Sequence, residues 1–114
     1  MSQTDAIPSA PFKGAAPLFA ALGDATRLGL LVSLCAGGPL TVTRLSGQFE
    51  VSRQAITKHL EVLSEAGLVT SLRRGRERIW TFEPKRLEEA REYLERLSRQ
   101  WDVALGRLKT FVET

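Results

Sequence analysis

The sequence predicts a mainly α-helical fold with one small β-hairpin. Three observations carry this: five segments with apolar residues at helical spacing, two short alternating segments around a glycine turn, and a length that holds one core. At 114 residues the chain falls in the single-domain range of roughly 100–150 residues. Folding at that size removes only about two-thirds of the unfolded surface from water, so a deep catalytic cavity would consume scarce core. A binding module fits better than an enzyme. The 43% hydrophobic and 25% charged fractions match a globular domain. No apolar run approaches the roughly 20 residues that span a bilayer, and residues 1–17 lack the basic start and apolar run of a secretory signal. A cytoplasmic protein without a membrane partner is expected.

Residues 1–17, rich in Pro, Ser, Ala and Gly, read as a flexible N-terminal arm. Residues 18–83 form the folded core. Leu18, Phe19 and Leu22 make a short helix ending at Gly23, and Asp24 caps the next. That second helix carries Leu28, Leu31, Val32 and Cys35 on an expected core face and stops at Gly37-Gly38-Pro39. On that face Cys35 reads as a small buried hydrophobe. Thr41 caps a third, short helix to about Gln48, with Val42, Leu45 and Phe49 inward. Ser52 caps a fourth helix running to Gly67, where Ile56, Leu60 and Leu63 share one stripe and Gln54, Lys58, Glu61 and Glu65 the opposite side. Leu68–Leu72 and Arg78–Phe82 then alternate as paired strands around Arg73-Arg74-Gly75-Arg76-Glu77, a hairpin with a basic tip. Residues 84–114 form the last helix, with Leu87, Leu94, Leu97, Trp101, Leu105 and Leu108 at three- and four-residue steps. Some 26 residues make a rod of about 39 Å, longer than so small a core needs. The spare stripe is expected to meet the same helix of a second copy, with Trp101 as an anchor; a helix folded back on its own domain is the alternative.

Residue chemistry narrows the function further. One cysteine and one histidine exclude an internal disulfide and a multi-cysteine or multi-histidine metal centre. No glycine-flanked serine elbow or phosphate-cradling glycine loop is present, so no catalytic residue and no cofactor is assigned. The net charge is +3, and all of the excess lies in residues 41–82, where Arg44, Arg53, Lys58, Arg73, Arg74, Arg76 and Arg78 face only four carboxylates. A localised positive field attracts polyanions, although a basic stretch is also an ordinary solvated surface.

A short helix, a tight link, a longer helix with a polar outer face and a basic hairpin form a winged helix-turn-helix. A major groove about 12 Å wide admits one helix whose exposed N-terminal half presents short polar or forked donors. Gln54 suits adenine, Arg53 guanine or phosphate, Ala55 or the Thr57 methyl a thymine methyl, and Lys58 phosphate. Ser52, at the positive helix end, also suits phosphate. Arg74, Arg76 and Arg78 of the wing would reach flanking backbone or minor groove. His59, at the edge of the apolar stripe, divides between packing and a phosphate contact. Double-stranded DNA is the expected partner, and a pair of fourth helices would read an inverted repeat. The rival reading is a protein-interaction module using the long C-terminal helix, with no role in DNA binding.

At these residues the sequence resembles a family. Leu22-Gly23-Asp24-Ala25-Thr26-Arg27-Leu28, Val51-Ser52-Arg53-Gln54-Ala55-Ile56-Thr57-Lys58-His59-Leu60 and Ala66-Gly67-Leu68-Val69 are similar to the ArsR family of winged helix-turn-helix repressors, a resemblance that extends over residues 18–112. It implies a homodimer joined through the first and last helices, Leu18 included, that represses a gene from a palindromic operator. It also implies that Ser52, Gln54, Ala55, Thr57, Lys58 and His59 lie at the DNA surface. Relatives that sense metals carry paired cysteines on the third helix or Asp and His on the last. Here the third helix reads Leu40-Thr41-Val42-Thr43-Arg44-Leu45-Ser46 and the last has no histidine, so the resemblance is to the metal-independent subgroup. The signal stays open among a small-molecule inducer, a protein partner and expression level.

Overall fold

The computed structural model describes residues 12–113. The arm expected over residues 1–17 lies outside them up to residue 11, and from Ala15 the chain is already helical. The described residues belong to two compact units, one spanning Gly14–Leu87 and the other made of Glu88 onward with Phe12 and Lys13. No single helix among them is long and apolar enough to cross a membrane.

In the first unit, α1 (Ala15–Leu22) buries Ala15, Leu18 and Ala21. Leu18 was expected at a contact between copies, but it is fully enclosed in its own core and has no surface to offer a partner. Helix α2 (Ala25–Gly37) begins where the Asp24 carboxylate accepts the Arg27 N–H at 3.0 Å, satisfying one of the unpaired donors of a first turn. Its buried residues are Leu30, Leu31 and Leu34. The expected face of Leu28, Leu31, Val32 and Cys35 is thus rotated: Leu28 is 47% and Val32 60% exposed, and Cys35 is exposed as well. The cause is legible in Leu28–Cys35, where apolar residues run almost all round the helix; spacing alone does not choose a face, and tertiary partners do.

Strand β1 (Leu40–Thr41) is followed by α3 (Val42–Ser46), whose first turn is capped by the Thr41 hydroxyl accepting from the Arg44 N–H. Helix α4 (Arg53–Glu65) starts at Ser52, whose Oγ accepts from the Ala55 N–H at 3.1 Å. Ile56, Leu60 and Leu63 are fully buried along one stripe, as the spacing predicts. The helix ends in a Schellman motif: the Leu68 N–H reaches the Leu63 carbonyl, the Gly67 N–H reaches that of Ser64, and Gly67 takes φ 81. Leu63 and Leu68 are both fully buried, the apolar contact that accompanies this ending.

The chain leaves that turn directly into β2 (Val69–Arg74) and returns as β3 (Glu77–Phe82). Toward the tip β2 runs two residues and β3 one residue further than alternation predicts, and only Gly75 and Arg76 connect them, with Arg74 paired to Glu77. Gly75 has φ 64 while, among the described residues, no other residue type adopts positive φ, the sign pattern of a II′ turn with glycine in its first position. Strand β1 adds to the other side of β3, pairing Leu40 with Trp80 and Thr41 with Ile79, so the sheet order is β1-β3-β2. The expected two-stranded hairpin is therefore one edge of a three-stranded sheet, and Trp80 of its central strand is fully buried.

Helix α5 (Pro84–Glu113) is 30 residues long and opens on a proline, which lacks the donor that a first turn leaves unpaired. Within the second unit the Phe12 and Tyr93 rings meet edge-on at 6.0 Å, and Arg91 pairs with Glu88 and Glu95. Leu94, Leu97, Trp101, Leu105, Leu108 and Val112 are exposed on this helix, Trp101 at 66%.

Two stability predictions follow from the helix ends. A Cβ on Gly67 would take a left-handed conformation and lie 2.8 Å from the Arg86 Cγ, so Gly67→Ala should cost about 1–2 kcal/mol in urea unfolding. The Arg27 N–H, aided by the His59 and Arg27 charges, holds the Asp24 carboxyl below its ordinary value against a smaller opposing effect of burial. A depressed pKa stabilises the fold above the ordinary carboxylate range near ~3.9 and loses that contribution as pH falls through the lower folded value. The difference in urea midpoint between wild type and Asp24→Asn should therefore shrink steadily in that acid window.

Candidate nucleic-acid interface

Helix α4 buries one stripe completely, so its other side must face outward, and the residues there are polar. Ser52, Arg53, Gln54, Lys58 and Glu61 are exposed, and Ala55 and Thr57 half-buried. The Ser52 hydroxyl already serves as the cap. Arg53, Gln54, Thr57, Lys58 and Glu61 line one shallow groove along the helix. Among the described residues, Arg53 and Lys58 make no ion pair or side-chain hydrogen bond, so their charges are available to a ligand.

A second cleft, about 320 Å³, adjoins this groove and shares Arg53 and Thr57 with it. Its other walls are Thr41, Val42 and Thr43 from β1 and α3, and Arg73, Arg76, Glu77, Arg78 and Trp80 from the wing. Four guanidinium groups and three threonine hydroxyls thus meet a single carboxylate. That donor set suits a polyanion: arginines bind phosphate as forked donors and hydroxyls add neutral ones. The register explains why Arg73, Arg78 and Trp80 take part together. Ser71 pairs with Trp80 and Arg73 with Arg78, so these four leave the ribbon on one face, while Arg74 leaves by the other.

Not every residue expected at this surface presents itself there. The His59 Nδ1 lies 3.3 Å from an Arg27 guanidinium nitrogen and 3.9 Å from the Asp24 carboxylate, so the ring packs toward the start of α2. Arg27 also donates to the Ala21 and Ala20 carbonyls at the end of α1, which makes it a clasp between α1, α2 and α4. The Arg78 guanidinium meets protein partners on three elements: it donates to the Ser71 Oγ of β2 at 3.0 Å, stacks 4.4 Å above the Trp80 ring of β3 and lies 3.7 Å from the Glu61 carboxylate of α4. In contrast, Arg73, Arg74 and Arg76 make no such contact among the described residues. The sequence reading left out Thr41, Thr43 and Arg73. Period-two alternation could have found Arg73; the two threonines reach the cleft only because β1 pairs with β3, which no local pattern announces.

Other chemistry finds little support. Neighbouring protein pushes the Cys35 thiol above its ordinary value through desolvation, the direction opposite to that of a reactive thiolate. Among the described residues no three His, Cys, Asp or Glu side chains gather as a metal site would require.

Comparison with known proteins agrees with this geometry. A family described as a helix-turn-helix domain matches residues 22–71. The uncharacterized HTH-type transcriptional regulator YuzN of Bacillus subtilis (strain 168) is 46% identical over 71 residues, covering 57% of this chain and 77% of that relative. The HTH-type transcriptional regulator Rv2034 of Mycobacterium tuberculosis is 39% identical over 85 residues, 75% of this chain and 76% of its own. Among solved structures, an ArsR-like transcriptional regulator from Rhodococcus sp. RHA1 superimposes with a TM-score of 0.72 at 37% identity, over 88% of this chain and 93% of that one.

Proposed function

The chain belongs to the ArsR family of winged helix-turn-helix regulators and is a DNA-binding regulator of transcription, and from that premise we propose that it works as a homodimeric repressor on an inverted-repeat operator. The observation that carries the proposal is the outer face of α4, with Arg53, Gln54, Thr57 and Lys58 presented beside a cleft lined by Arg73 and Arg76. In this reading α4 enters the major groove. Gln54 reads a base edge as a forked donor and acceptor, Arg53 contacts a base or phosphate near the helix start, and Ala55 and the Thr57 methyl offer apolar contact to thymine. Lys58, Arg73, Arg74 and Arg76 neutralise backbone phosphates on either side. In this reading the chain acts in the cytoplasm, in reach of genomic DNA.

Dimerisation is supported by α5. Leu94, Leu97, Trp101, Leu105, Leu108 and Val112 follow one another at three- and four-residue steps, and all are more than a third exposed. An apolar stripe of that length on a protein surface marks an interaction site, and a stripe that repeats along one helix is complementary to itself about a two-fold axis. Leu87, half-buried in the first unit, lies at the start of the same helix. Two copies would carry two α4 helices to successive major grooves about 34–36 Å apart. The symmetry of the target then follows from the symmetry of the protein.

Two experiments test this reading. Lys58→Ala and Arg76→Ala should weaken binding to all duplexes and lower the slope of log K against log salt by about one each, whereas Gln54→Ala should relax preference at one base pair by about 1–3 kcal/mol. Competition titrations against single-base operator variants would read both effects, and an unchanged base preference in Gln54→Ala would remove that residue from base recognition. In sedimentation equilibrium the wild type should show twice the 12.6 kDa chain mass, and Trp101→Glu should return it to one.

A further inference from the structure

We infer that Arg78 is a positioning residue: with Glu61 and Trp80 it fixes the wing against α4, and it is not a ligand for DNA phosphate. The inference rests on the DNA-binding reading above and assigns a structural task within it. Its starting point is the inward face of the wing. Val69, Ser71, Arg73, Arg78, Trp80 and Phe82 leave the ribbon on that side, as the register requires. Val69 and Trp80 are buried, so apolar packing holds the base of the wing. Beyond Trp80 toward the tip, this face carries only Arg78 and Arg73.

A two-stranded ribbon without apolar anchorage is marginally stable in water. Arg73 and Arg78 stand directly opposite each other, a like-charged pair that weakens pairing further. The Arg78 guanidinium resolves both difficulties. It lies over the Trp80 ring, donates to Ser71 on the neighbouring strand and meets the Glu61 carboxylate of α4. One side chain thereby ties β2, β3 and α4 together at the level where packing ends. The same contacts hold the guanidinium in place and set the Glu61 carboxylate beside it, where it competes with a phosphate for that charge.

Glu61 supports the assignment from the other side. Its carboxylate lines the groove formed with Arg53, Gln54, Thr57 and Lys58, where a negative charge repels a phosphate backbone. A carboxylate there lowers DNA affinity unless it serves another purpose. Pairing with Arg78 is that purpose, because it sets the angle between the wing and the helix.

The two roles of Arg78 predict opposite signs for Glu61→Gln. If Arg78 positions the wing, Glu61→Gln weakens duplex binding even though a repulsive charge is gone. If Arg78 binds phosphate, the same change frees it and tightens binding. Amide hydrogen exchange on the DNA-free protein provides an independent readout. Exchange at residues 72–77 should quicken about three- to tenfold in both Glu61→Gln and Arg78→Ala, the scale of one partly exposed ion pair plus one cation–π contact. The double variant should exchange no faster than Arg78→Ala. Arg78→Lys, which keeps the charge without the planar fork, should resemble Arg78→Ala in both measurements. Wing exchange at the wild-type rate in Glu61→Gln would overturn the strut. Tighter or unchanged duplex binding by that variant would overturn its service to DNA binding. A wild type that failed to bind any duplex at low salt would overturn the DNA reading instead, and the exchange data would still decide the strut.

Discussion

Ile56, Leu60 and Leu63 set the frame for the rest of the molecule. Their complete burial fixes the rotation of α4 about its own axis, since a turn of 100° per residue leaves no freedom once one stripe is committed to the core. Burying each such side chain is worth roughly 1.5–3 kcal/mol, whereas the polar residues on the other side contribute little to folding. The energetics of the hidden stripe therefore dictate the orientation of the visible one. Gly67 extends that control beyond the helix: its left-handed turn sends the chain straight into β2 with Leu68 and Val69 still buried. Helix and wing share one core.

The surface assembled on this frame divides its charges between two kinds of work. Arg53, Lys58, Arg73, Arg74 and Arg76 project without protein partners among the described residues and supply the field that draws in a polyanion. Arg27 and Arg78 are tied to carbonyls, rings and carboxylates, and supply geometry. The distinction matters because arginine combines a permanent charge with a rigid planar fork, and the surroundings decide which property is used. A count of basic residues merges the two. Contacts separate them.

Much of the architecture could be read from local signals. Asp24, Thr41 and Ser52 stand where caps are needed, Gly67 and Gly75 where left-handed backbone is needed, and the stripe of α4 has the spacing of a half-buried helix. The structure departs from the sequence reading where the local pattern was degenerate or the cause was distant. Leu28–Cys35 is apolar on nearly every side, so its buried face was decided by neighbours, which chose Leu30, Leu31 and Leu34. Strand β1 has two residues, too few to show alternation, and exists because β3 offers a free edge. The resemblance to relatives implies an interface role for Leu18, yet the interior of its own unit encloses it. The roles of His59 and Arg78 depend on contacts 32 and 35 residues away in sequence for His59 and up to 17 for Arg78, and spacing along a chain carries no record of them.

The separation between the two sides of α4 bears on how such a protein changes over generations. Substitution of an exposed residue usually alters stability by no more than about 0.5 kcal/mol, so Arg53, Gln54 and Lys58 can be exchanged without endangering the fold. A duplicated gene could drift at these positions, acquire a new target sequence and keep its scaffold intact. Diversity of binding preference on a constant framework is what that arrangement permits.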